Sequence, residues 1–366
     1  QAPENVLRQQ RGESGAGRGP DRGCREAVVK MSSEGSPGVL PRVFLSRKFP
    51  PHHFADLKRT SDFVMHAKDV KPSPAGYRRA VRGADVLISM VGDEIDADFL
   101  DAAPRLKLVA NCGVGFNNLD LEEITRRGIL ATNTPGVVTE PTAECAMSLL
   151  LAVSRRVVEA DTYIRTGRWK GWTPTLLEGR GLNGRVLGII GLGRIGCAVA
   201  RMANSFGMKV RYWSRNRKSP EVEKQTGVSY RSFGRLLRES DFLSVHLALN
   251  DETRHIIGAD EFARMKKGAV VINTARGPIL DEEALVEALR SGRLGGAGLD
   301  VFENEPRPHP GLLRMKNVVM MPHLGTNTDL GRDAVSDRVE RNVKAYLLGK
   351  RPPDLLNPEA WRNRRR

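Results

Sequence analysis

The chain has 366 residues, 40% of them apolar, which is ordinary for a globular protein and long enough for two domains rather than one core. No apolar run approaches the roughly 20 residues that span a bilayer, so a membrane helix is not expected. The formal net charge is +15, and with six cations against five anions in residues 1–38 and five against two in 351–366, most of it sits on the body.

Such a body attracts anions. Zinc-ligand spacing, an RNA-binding aromatic signature and a long basic stripe are all missing. Small anionic substrates and phosphorylated cofactors therefore suit the charge better than nucleic acid, and no metal site is expected. The four cysteines, Cys24, Cys112, Cys145 and Cys197, show no CxxC and no framework spacing. They read as reduced thiols of a cytoplasmic protein. Residues 1–38 are Gly-, Arg-, Ser- and Gln-rich with few large apolar side chains, so disorder is expected there, and Met31 is a candidate start. The tail from Arg362 to Arg366 reads as a frayed basic end.

From residue 42 short β-branched runs alternate with helical stretches. VFLS (43–46), DFVMH (62–66), DVLISM (85–90), LKLVAN (106–111) and ILATN (129–133) read as strands, with helices near 74–82, 95–102 and 119–127. One long helix is then expected through AECAMSLLLAVSRRVVEADTYIRTG, its apolar face buried against another domain or subunit. A second series of strands follows at RVLGII (185–190), KVRYW (209–213), DFLSVHLAL (241–249), AVVIN (269–273), AGLDV (297–301) and NVVMMP (317–322), and a helix over about 327–348 closes the chain. This pattern predicts an α/β protein with two doubly wound parallel sheets, and the cleft between them is the default site.

Directly after RVLGII stands GLGRIG, with Gly191, Gly193 and Gly196 in GxGxxG spacing, between a strand and a helix and followed by another strand. That is the context a dinucleotide-binding loop requires: a tight turn, close approach of a pyrophosphate, close helix–strand packing, and helix N–H groups aimed at the phosphates. An acid normally ends the next strand, about 20 residues on, and binds the ribose hydroxyls. Here the position falls near Ser214 and the chain reads Ser214, Arg215, Asn216, Arg217, Lys218 instead. Guanidinium groups suit a ribose 2′-phosphate, so the turn favours NADP(H) while leaving NAD(H) open; a merely solvated basic turn is the other reading.

With GLGRIG (191–196), NTARGPILDEEAL (273–285), GAGLDVFENEP (296–306) and MPHLGTNT (321–328), the chain resembles the D-isomer-specific 2-hydroxyacid dehydrogenases over about residues 42–350. Within that family it looks most like the glyoxylate/hydroxypyruvate reductases. The resemblance implies two Rossmann-like domains, a discontinuous substrate domain (39–137 and 326–352) and a nucleotide domain (138–325), followed by a basic tail (353–366). It also implies a small 2-keto acid substrate and a homodimer built on the long helix and the arm through Trp169 and Trp172.

The catalytic set it implies is Arg276, Glu305 and His323. An imidazolium can protonate a developing alkoxide, a carboxylate on its other nitrogen orients it, and a permanent cation with a rigid donor fork polarises the keto oxygen. Gly113, Val114 and Gly115 are expected to offer amides to the substrate carboxylate, and Met90 and Val91 to shape the pocket. Thr139, Arg194, Ile195, Thr274, Ala275, Asp300 and Gly325 join the glycine loop, Ser214, Arg215, Arg217 and His323 as expected cofactor contacts. Ala248 stands where relatives usually have Pro, a departure at the adenosine wall. Rival readings are a D-lactate, phosphoglycerate or phosphite dehydrogenase and, from another class, an NAD(H)-sensing corepressor of the same fold.

Overall fold

A computed structural model describes residues 40–365. Cys24, Met31 and the expectation of disorder over 1–38 lie outside the described residues. Five parallel strands, β1 (Arg42–Leu45), β2 (Asp62–Met65), β3 (Val86–Met90), β4 (Leu108–Cys112) and β5 (Leu130–Thr132), form the first sheet in the order β2-β1-β3-β4-β5. Seven more, β6 (Val186–Ile190), β7 (Lys209–Trp213), β8 (Val228–Tyr230), β9 (Phe242–Val245), β10 (Ala269–Asn273), β11 (Leu294–Leu299) and β12 (Val318–Met320), form the second in the order β12-β11-β10-β9-β6-β7-β8. Both are doubly wound α/β sheets, as the alternating pattern predicts. Central strands such as β4 and β10 are buried at every position, which is why they read as continuous apolar runs rather than as alternation. Strand order reverses between β1 and β3 and again between β6 and β9, and crevices open at the carboxyl ends of strands at such points.

Three expectations need correction. The single long helix is two, Thr139–Ser154 and Val157–Arg165, because Arg156 turns into the left-handed region at φ 53°. The first half buries eight residues, whereas the second has none buried, so only the first half has a surface to follow. Strand β9 stops at Val245, and residues 246–249 leave the sheet to line the cleft. The tail does not fray among the described residues: Leu356 N–H donates to Ala131 C=O, Arg365 N–H to Gly128 C=O, and Asn357 is fully buried against β5. Asn357 accepts from the Ala131 N–H and donates to Ile129 C=O, satisfying the edge of the sheet.

The closing helix spans Asp329–Leu347 and is capped by Thr328, whose hydroxyl accepts from the Gly331 N–H. Val335, Val339 and Val343 fall at i, i+4 and i+8 and pack into the core of the first sheet. The chain thus returns to the sheet it started from, which brings residues 322–332 over the cleft.

Candidate active site

The carboxyl ends of the two sheets face one another across a cleft of about 1010 Å³. Segments after β1 (Arg47–Pro50), β3 (Met90–Gly92) and β4 (Gly113–Asn117) line one wall. Segments after β9 (His246–Leu249), β10 (Thr274–Arg276), β11 (Asp300) and β12 (Pro322–Asn327) line the other.

Arg276, Glu305 and His323 all reach this cleft. His323 Nδ1 lies 2.9 Å from Glu305 Oε2, and the other carboxylate oxygen accepts from the Phe302 N–H. Nε2 has no protein partner among the described residues. Partial burial pushes the Glu305 carboxyl up, but the hydrogen bond and charge of His323, the Phe302 N–H and Arg276 together hold it below the usual carboxylate value. His323 sits at φ 55°, a conformation that costs a non-glycine residue about 1–2 kcal/mol. Asp300, fully buried, offsets this by accepting from the N–H groups of the next two residues, Leu324 at 2.6 Å and Gly325 at 2.8 Å. Burial raises the Asp300 pKa against those two N–H groups and His323.

Arg276 crosses from the second sheet to the first, where its Nε donates to Asn117 Oδ1 at 2.9 Å. Burial lowers its pKa and Glu305 opposes the shift, although a guanidinium remains charged. It lies so close to Gly115 that a Cβ there would fall 2.0 Å from Nη2. A Cβ on Gly113 would likewise fall 2.3 Å from Val91 Cγ1, so the two substrate-side loops touch.

The loop 113–115 is more specific than GVG alone suggests. Its carbonyls are committed: Gly113 to the Thr134 N–H, Val114 to Asn133 and Gly115 to Asn111. The Gly113 N–H also bonds, to Asn111 C=O. Only the Val114 and Gly115 amides are left without a protein partner among the described residues, which narrows the expected anion nest to these two.

At the nucleotide end Gly191 has φ 93°, and a Cβ on it would lie 2.6 Å from the His246 carbonyl oxygen. Gly193, which opens the helix Arg194–Ser205, faces open space instead. Arg194 is exposed at that helix start, Gly196 is buried and Ile195 reaches the cleft. Ser214 Oγ accepts from the Leu192 N–H, tying the basic turn to the glycine loop. Arg215 pairs with Glu252 at 2.7 Å, and Arg217 pairs with Glu223 at 2.8 Å over the Tyr230 ring. Thr274 Oγ1 is buried at the cleft with no hydrogen-bond partner among the described residues, and the open space at Gly193 is where a pyrophosphate would approach; both fit a dinucleotide. Thr139 is half-buried in the first turn of its helix, and its neighbours Val138 and Thr142 line the cleft. The thiols of Cys112 and Cys145 are each pushed up to about 12 by burial, which makes them inert packing groups.

Sequence reasoning missed Arg47 and Arg332, which also line the cleft. Arg47 is held by Asp93, whose buried carboxylate also accepts from Ser46, Tyr77 and the Met90 N–H and so shapes the 90–92 loop. Its place just past a parallel strand was the available signal. Arg332 gave none, because only the returning helix brings it there.

A sheet that carries both a dinucleotide-type glycine loop and an Arg–Glu–His cluster at its carboxyl edge is the arrangement of a hydride-transferring oxidoreductase. Residues 147–325 match the family described as D-isomer specific 2-hydroxyacid dehydrogenase, NAD binding domain. The glyoxylate reductase of Thermococcus litoralis is 46% identical over 326 residues, covering 88% of this chain and 98% of that one. The NADPH-dependent glyoxylate/hydroxypyruvate reductase of Sinorhizobium meliloti, solved with NADP and malonate, superposes with a TM-score of 0.76 at 33% identity, over 89% of this chain and 99% of that one. The D-lactate dehydrogenase of Aquifex aeolicus, solved with NAD and lactic acid, gives 0.73 at 29%, over 88% and 98%. The chain belongs to the D-isomer-specific 2-hydroxyacid dehydrogenases, oxidoreductases that use a nicotinamide cofactor.

Proposed function

We propose that the protein is a reductase of small 2-keto acids, with glyoxylate and hydroxypyruvate as leading substrates and NADPH as preferred reductant, acting as a homodimer. The observation that carries this reading is the hydrogen-bonded Glu305–His323 pair lining one cleft with Arg276. The named activities of the relatives support the substrate class. The division into a substrate domain (39–137 and 326–352) and a nucleotide domain (138–325) belongs to the same reading.

When bound, the cofactor supplies the hydride that reduces the keto carbon. Gly191, Gly193, Gly196 and the helix N-terminus at Arg194 would hold its pyrophosphate, and Ile195, Thr274, Ala275 and Gly325 its nicotinamide end. Val114 and Gly115 hold the substrate carboxylate through their free amides, Arg276 neutralises it and polarises the keto oxygen, and Met90 and Val91 fill the space beside a small side chain. His323 donates a proton from Nε2 as charge develops on that oxygen, while Glu305 keeps Nδ1 occupied and the ring oriented. In the oxidation direction Nε2 takes the proton back.

The NADPH preference rests on the basic turn and the missing acid. Each arginine already holds a carboxylate, but exposed ion pairs are weak and a bidentate phosphate contact competes well with them. The test is a matrix of NADPH or NADH against glyoxylate, hydroxypyruvate, pyruvate and phosphite. We expect the highest kcat/KM with NADPH and one of the first two; turnover confined to phosphite, pyruvate or NADH overturns the respective part. Arg215→Gln with Arg217→Gln should raise the KM for NADPH far more than that for NADH, and equal effects would make the turn solvated charge only.

A further inference from the structure

We infer that His52, His53 and Asp333 form a binding site for a divalent transition-metal cation of the zinc type, outside the cleft and independent of the reductase reading. The donor atoms of the three side chains lie within 4.8 Å of one another. Asp333 Oδ1 is 3.3 Å from His52 Nε2 and 3.1 Å from His53 Nε2. With metal–ligand bonds of about 2.0–2.1 Å, the edge of a coordination tetrahedron is about 3.3 Å, which the two imidazole–carboxylate separations match.

His53 supplies the independent observation. His53 is 4% exposed, its Nδ1 has no hydrogen-bond partner among the described residues, and its Nε2 has only the Asp333 carboxylate beside it. A buried imidazole whose Nε2 meets only a carboxylate that a second imidazole shares is the donor set of an ion held among the three. Asp337 lies one turn beyond Asp333 on the closing helix and adds negative charge on that side. Two imidazoles and a carboxylate suit zinc and its late first-row neighbours better than magnesium or calcium, which prefer all-oxygen shells. Water would complete the shell, since His52 and Asp333 are exposed.

The site has a consequence for the cleft. The segment after β1 carries Arg47 to Pro50 on the cleft wall, and the closing helix carries Arg332, adjacent to Asp333. Glu340 already accepts from the Leu57 N–H and Lys344 pairs with Asp56. An ion at His52, His53 and Asp333 would add a third tie between the same two segments, at the end nearest the site.

The test uses the full chain, stripped with a chelator and without an affinity tag, titrated with Zn2+ by calorimetry and followed by thermal unfolding. We expect one ion per chain and a Tm that rises with free Zn2+. His52→Ala and Asp333→Asn replace exposed side chains, so their Tm without metal should match wild type while Zn2+ affinity falls by about 100-fold. Wild-type protein that shows no saturable binding and no shift in Tm overturns the inference. So does binding that survives in the double variant, since the ion would then sit elsewhere, for instance at His255 and Glu303.

Discussion

Glu305 gains its weight from its contacts, not from its place after a turn. Its two oxygens serve His323 Nδ1 and the Phe302 N–H, so replacing it by Gln keeps the shape and removes the charge that favours a protonated ring. Glu305→Gln should cut kcat by about 10²–10⁴ while cofactor affinity, read by fluorescence titration, stays unchanged. Because the folded-state pKa of Glu305 lies below its ordinary 4.5, the carboxylate contributes stability above that value and loses it as pH falls through the lower folded value. Denaturant unfolding should therefore show wild type and variant apart at neutral pH and converging below pH 4.5. The proposed Arg276, Glu305 and His323 were legible through the motifs that carry the family resemblance. The supporting contacts were not. That Asp300 braces the turn bearing His323, and that Asn117 meets Arg276 from the other sheet, depends on contacts between residues 24 and 159 positions apart.

Among the elements, the strand–glycine loop–helix unit was legible nearly to the residue because its constraints are local. The structure divides its glycines by cause. Gly191 is required by the fold, through a positive φ and the His246 carbonyl, whereas Gly193 borders open space. Gly191→Ala should lower stability by more than about 1 kcal/mol, from backbone strain alone. Gly193→Ala should leave Tm close to wild type but weaken cofactor binding by at least about tenfold, a loss of about 1.4 kcal/mol. Similar effects of the two substitutions on Tm would refute this division. The helix broken at Arg156 shows the opposite case. Its sequence is helical throughout, and the interruption follows from where burial ends, which no local propensity records.

For the whole molecule, Val157, Val158, Ile164, Trp169 and Trp172 are each at least half exposed within one 16-residue stretch. A monomer rarely leaves such a set uncovered, which supports the proposed dimer. Val158→Asp with Ile164→Asp should convert a dimer to monomer in sedimentation with the secondary structure intact, and a wild-type chain that sediments as a monomer at micromolar concentration would end the proposal.

The sequence by itself determined the two doubly wound sheets and the strand–glycine loop–helix unit, because these rest on periodicity and spacing within short windows, and its four motifs in order carried the family resemblance. Only the tertiary structure decided that the tail packs on the edge of the first sheet, that two amides rather than three remain free after β4, and that Arg332 reaches the cleft. It alone set His52 and His53 beside Asp333, some 280 residues away. The physical reason is the same in each case: burial and hydrogen-bond partners are settled by chain return, and the linear order carries no record of which distant residue will be there.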